Sequence, residues 1–246
     1  MRKILLVIMI AAMAAAMSTS ALAQSSKAAW RFQELIDLTA NTGGTTDTGW
    51  QPILTTHIKT PNGKELAIGA SLQCGLITDT TVKSKNGDLD SSAARGKIAV
   101  RIEITQPDGS VVYAEPNNGA DLATDIELVN EGVTYCDRYQ KLAARFSGLN
   151  CTADLVTGAV TCEDPEELQL ILQTLSAHHF NFLFANAIPG IQKVVVQARA
   201  QAGMLLGGTE LGVAAAEAFV GAGALSVETI RLVKDADGTT DLEDLR

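Results

Sequence analysis

Apolar and polar positions alternate most clearly between residues 177 and 200. Phe180, Phe182 and Phe184 alternate with His179, Asn181 and Leu183, the period of a half-buried strand. Asn186 to Gly190 supplies a turn, with Pro189 fixing φ and Gly190 free to take a positive one. Val194, Val196 and Ala198 resume the alternation against Lys193, Gln197 and Arg199, which predicts an antiparallel hairpin. Upstream, Leu66, Ile68, Ala70, Leu72, Cys74 and Leu76 alternate unbroken against Glu65, Ala67, Gly69, Ser71, Gln73 and Gly75. Ile98, Val100, Ile102 and Ile104 do the same against Lys97, Ala99, Arg101 and Glu103, and Pro107-Asp108-Gly109 turns the chain into a partner at 111–115. Ribbons with one apolar face are unstable alone, so each needs a second sheet to cover it.

The rest of the pattern completes that expectation. Leu54, Thr56 and Ile58 share the face of a first strand, and 133–146 is extended in character. The polar stretches 78–95 and 117–130 are expected as loops. Asp164-Pro165-Glu166-Glu167 carries helix-start signals, and Leu168, Ile171, Leu172 and Leu175 follow at helical spacing, predicting one short amphipathic helix. Alanine-rich 213–220 is expected as a strand, with a final strand through Leu225, Val227, Ile230 and Leu232. The expected class is mainly β: a two-sheet antiparallel β-sandwich, jelly-roll-like rather than immunoglobulin-like, with one short helix.

The chain divides by composition. Met1-Arg2-Lys3, an apolar run from Ile4 to Ala16 and Ala21-Leu22-Ala23 form a signal-peptide pattern over 1–23, whose run is shorter than the roughly 18 to 20 residues that span a bilayer. Residues 24–49 read as an N-terminal arm, 50–234 as the sandwich domain and 235–246 as an acidic flexible tail. The expected location is secreted or periplasmic, with no transmembrane anchor after cleavage. Formal net charge is −9, becoming −11 once Arg2 and Lys3 leave with the leader. An acidic surface without a Lys/Arg cluster repels phosphate, so nucleic acid is not an expected partner.

Cysteine count adds a constraint. Cys74, Cys136, Cys151 and Cys162 are an even set in an exported chain, which predicts two disulfides among three pairings. Residues 151–156 and 159–162 read as hairpin arms around Val156-Thr157-Gly158, placing Cys151 opposite Cys162 and leaving Cys74 for Cys136. The four lack C-x-x-C spacing and a neighbouring histidine in sequence, so neither metal nor cofactor is expected. The segment 69–76, the segment 164–175 with its following Phe-Asn-Phe, and Val194 to Ala198 together resemble predicted exported β-sandwich proteins of unassigned function. That resemblance implies a fold and no chemistry.

Candidate chemistry is sparse. No G-x-S-x-G elbow is present. His178 and His179 are adjacent, so on a strand they face opposite ways, and no H-x-H set accompanies them. Glu103, Glu115, Glu217 and Glu228 are strand carboxylates, a type usually just solvated. In 235–244 Thr240 stands where a calcium loop wants glycine. Trp50, His57 and His179 remain as candidates for a ligand face. The expected function is an exported, non-catalytic β-sandwich with a binding or structural role in the cell envelope or extracellular space. The alternative is a carbohydrate-binding or carbohydrate-active jelly roll, and the expected partners are a glycan or a second copy meeting through 213–220.

Overall fold

The computed structural model describes residues 27–34, 36–42, 46–84, 89–119, 122–145, 151–162, 166–207 and 212–232. Within them every regular element is a strand: β1 (Ala28–Gln33), β2 (Leu38–Asn41), β3 (Gln51–Thr60), β4 (Glu65–Ser84), β5 (Leu89–Thr105) and β6 (Val111–Tyr113). There follow β7 (Val133–Arg145), β8 (Cys151–Ala153), β9 (Val160–Cys162), β10 (Glu166–Phe184), β11 (Gly190–Gly207) and β12 (Val213–Ile230). One antiparallel sheet runs β1–β12–β4–β10, with β2 also on β12; we call it sheet A. Sheet B runs β3–β11–β5–β6, with β7 also on β5, and β8–β9 is a separate ribbon. The protein is a two-sheet β-sandwich. The leader, the acidic tail and the helix-start residues Asp164 and Pro165 lie outside the described residues.

Even positions of β4 point inward, and the strand's alternating apolar set becomes half of the core. Leu66, Ile68, Leu72 and Leu76 mesh with Ile98, Val100, Ile102 and Ile104 of β5 and with Val194, Val196 and Ala198 of β11. Burying a branched side chain of this size stabilises by about 1.5–3 kcal/mol. The Cys74–Cys136 disulfide ties the sheets together across this interior. On the outer face of sheet A, Gly75 sits opposite Phe219 in the ladder, and a Cβ there would lie 2.0 Å from the Phe219 ring. Glycine leaves the ring lying flat over the strand, where any side chain would lift it off.

Several expectations change. The stretch predicted as a helix is the first half of β10, paired residue for residue with β4 from Glu166↔Ser84 to Phe184↔Leu66. Leu168, Leu170 and Leu172 fit a strand period as well as the other leucine set fits a helix, and the long edge of β4 supplies the ladder. The expected hairpin is absent too: β10 belongs to sheet A and β11 to sheet B, so the turn at 185–189 crosses between layers. Residues 78–84 and 89–95, read as a polar loop, are strand. Residues 28–33 and 38–41, read as an arm, are strands of sheet A. The 213–220 stretch is a strand as expected, continuous with the final one across an irregularity at Val220/Gly223. Its second half, Glu217 to Val220, is paired on both sides, with β4 and β2, whereas among the described residues 213–215 pair with β4 alone.

Several polar groups on and beside the stretch 78–97 are held inside by specific partners. Thr78 Oγ1 donates to Gln140 Oε1 at 2.7 Å, and Gln140 Nε2 donates to Leu170 O at 2.8 Å. On the outer face of sheet B, fully buried Arg95 forms a bidentate pair with Asp137 at 2.9 and 2.5 Å and donates to Ile126 O at 2.8 Å. Lys97 Nζ donates to Val129 O. Segment 122–130 is thereby pinned over the sheet. Removing one partner of a buried pair leaves an uncompensated charge, so Asp137→Ala is expected to cost about 3–5 kcal/mol in urea denaturation. Asp125→Ala, which removes only exposed contacts to Lys141 and Tyr139, is expected to leave the midpoint nearly unchanged.

Candidate functional site

The strand carboxylates do not converge. Glu103 lies on sheet B, where its Oε2 accepts from Gln197 Nε2 at 2.8 Å. Glu217 and Glu228 stand near opposite ends of β12 in sheet A. Glu115 sits in an isolated bridge with Leu183 and accepts from its own loop at Asn117 N. Nothing here forms a pair facing across a cleft. A cleft of about 640 Å³ opens between the β1–β2 corner and the start of β3, lined by Gln33, Asp37, Thr39, Thr48 and Gln51 among others. It brings together no acid, base and nucleophile set.

The three ligand-face candidates are also separated. Trp50 and His57 lie on the outer side of sheet B, whereas His179 lies on the outer side of sheet A. His57 is exposed opposite Lys193. His179 Nδ1 is 2.7 Å from Ser71 Oγ and its Nε2 is 2.9 Å from Asn181 Oδ1, so both ring nitrogens are engaged. Trp50 belongs to a braced cluster: the Arg101 guanidinium carbon is 4.4 Å from its ring centre and 4.5 Å from that of Tyr113. Trp50 Nε1 donates to Glu131 Oε2 at 3.1 Å, and Arg101 Nε donates to Gln197 Oε1 at 2.7 Å. Gly132, at φ 73°, lets the Trp50 ring come within 2.6 Å of where a Cβ would stand. Arg101 therefore occupies a face of each ring that a sugar would stack on, and the cluster fastens Glu131 and Gly132 to the sheet.

Beside this cluster, Arg199 forks onto Asp47 at 2.6 and 2.9 Å and ties the residues before β3 to β11. The hydrogen bond from Arg199 holds the Asp47 carboxyl below its ordinary value of 3.8, against an opposing push from partial burial.

The flank between β10 and β7 is different. β7 barely reaches β10, so the inward positions of β10 are left partly uncovered. On this flank lie the disulfide, Ser176 and His178. Ser176 Oγ is 3.8 Å from Cys74 Sγ and 2.9 Å from His178 Nε2. Cys74 Sγ, Cys136 Sγ and a His178 ring nitrogen all lie within 4.8 Å of one another. A histidine does accompany these cysteines, contrary to expectation, because Ser176 is the ladder partner of Cys74. Only the β4–β10 register reveals this, and the helical reading of 168–175 concealed it. The histidines do face opposite ways as expected. Cys151 and Cys162 are opposed in the β8–β9 ladder.

The chain is thus defined as a two-sheet antiparallel β-sandwich with an open flank. Neither a protein-family profile nor a curated protein sequence matches it. Among solved structures it is similar to that of infectious bursal disease virus Gx strain, at 7% identity and a TM-score of 0.23, over 83% of this chain and 39% of that one. It is also similar to a mutant VP2 protein of infectious bursal disease virus in derived T=1 particles, at 11% identity and a TM-score of 0.19, over 88% and 42% of the two chains. The chain spans about two fifths of the length of these viral chains, and a likeness this slight has no bearing on activity.

Because the Asp47 carboxyl is depressed in the fold, its contribution to stability is complete above the unfolded value and is lost as pH falls through the folded one. Asp47→Asn is therefore expected to lower stability at neutral pH and to flatten the fall in urea midpoint below about pH 4.

Proposed function

We propose that the chain is an exported, non-catalytic β-sandwich that acts in the cell envelope or extracellular space by pairing with a second copy along the open edge of β10. The observation that carries this reading is the character of that edge. Among the described residues β10 pairs only with β4, apart from the bridge at Leu183. Leu168, Leu170 and Leu172 on one face are 45%, 39% and 41% exposed, and Ile171 and Leu175 on the other are 50% and 59% exposed. Edge strands are ordinarily blunted by charge, proline or a bulge. No Asp, Glu, Lys or Arg occurs between Glu167 and Lys193. On a molecule of net charge −9, this edge lets two copies approach without bringing like charges together. An antiparallel ladder about a two-fold axis keeps equivalent faces on the same side, so the leucines of one copy meet those of the other.

Export is supported by the leader pattern at 1–23 and by the Cys74–Cys136 disulfide, a bond typical of oxidising compartments. Among the described residues no helix is long and apolar enough to cross a membrane. A jelly-roll winding is supported by the strand order: β2 to β5 alternate between the sheets, as do β10 to β12, and β12 and β11 each insert between an early strand and a later one.

Light scattering on the leader-free protein tests the reading. The expected mass is that of a dimer, and Leu172→Lys, which places a charge on the edge, is expected to yield the monomer with an unchanged β spectrum. A monomer at tens of micromolar for the unmodified chain contradicts the proposal.

A further inference from the structure

The cluster on the open flank has a second chemical state. We propose that the dithiol form of Cys74 and Cys136, together with His178, is a binding site for one Zn²⁺ ion, so that metal uptake is gated by the redox state of the bridge. This inference stands independently of self-association.

The donor set and its spacing point to the metal. Two thiolates and an imidazole, with one position left for water, are a common zinc donor combination. At Zn–S of roughly 2.3 Å and Zn–N of roughly 2.0–2.1 Å, tetrahedral donors stand about 3.6–3.8 Å apart. The three donor atoms here lie within 4.8 Å of one another, so small side-chain rotations bring them to that spacing. Cys74 and Cys136 come from opposing sheets and their Cα atoms are 6.7 Å apart, which leaves the sulfurs room to separate once the bond is broken. His178 is exposed at the flank, giving the ion a path in from solvent. Ser176 Oγ, 2.9 Å from His178 Nε2, steadies the ring as supporting partners of metal ligands do.

The chemistry balances with a dithiol reductant. The reductant gives two electrons and two protons, its own sulfurs join, and the Cys74–Cys136 bond becomes two thiols. Zn²⁺ then displaces both thiol protons to solvent, and neutral His178 completes the protein ligands. In the disulfide neither sulfur is a thiolate, so the oxidised form has no such site.

Cobalt titration of the full leader-free chain tests this. Cys151→Ser/Cys162→Ser is used as the background, so that the other cysteines contribute nothing, and a phosphine serves as reductant. The reduced protein is expected to take up one Co²⁺ with thiolate-to-metal charge-transfer absorption that one equivalent of Zn²⁺ abolishes; the oxidised protein is expected to show none. His178→Ala is expected to weaken Co²⁺ binding at least tenfold, with dichroism recorded on both proteins. Absence of charge-transfer absorption in the reduced protein overturns the proposal. So does equal affinity in His178→Ala, whether the reduced chain is folded or unfolded, because the site then owes nothing to the register that brings His178 to the sulfurs.

Discussion

Two sheets hold each other only where side chains from both sides mesh, and that overlap governs this molecule. Along the lower half of β4, the leucines and isoleucines of sheet A meet those of β5 and β11, and water is excluded. Sheets pack about 10 Å apart, a gap that large side chains fill from both sides. Farther up, the facing residues shrink to Ala94, Ala202, Ala214, Ala216 and Ala218, and threonines replace leucines. Sheet B leaves β10 partly bare. Both the open flank and the exposed leucines follow from a covering layer that ends one strand early.

Where the overlap thins, hydrogen bonds and ion pairs take over the work of adhesion. Gln140 reaches from β7 to Thr80 and to the Leu170 carbonyl, stitching the sheets at a level with little apolar contact. The disulfide does the same covalently at the boundary between the apolar and polar halves. Arg95 and Asp137 serve the outside of sheet B, where segment 122–130 substitutes for a third layer. A buried charge is costly alone and tolerable when fully partnered, which explains why these groups occur in fixed, multiply bonded positions.

The same division explains what was legible in the sequence. The period-two runs at 66–76, 98–104 and 194–198 are inner faces of central strands, and their alternation survives because one side is dry and the other wet. Position Cys136 for Cys74 followed from placing Cys151 opposite Cys162, and the ladder bears out that opposition. What failed was read from polar composition. Thr78, Thr80, Asp90, Ser92 and Arg95 look like loop residues, yet all are buried in strands whose partners lie far away in sequence. The leucines at 168–175 satisfy two periods at once, and only the long edge of β4 decides between them. His178 was invisible as a neighbour of the cysteines for the same reason: its place depends on a register, and registers are set by strands already paired.

Amide hydrogen exchange read by mass spectrometry tests the meshing of the two layers most directly. Slowest exchange is expected where the central strands face each other, in 66–76, 98–104, 194–202 and 214–227, with faster exchange in segment 122–130. Rapid exchange throughout those central strands, or protection concentrated in the surface segments, would contradict the account.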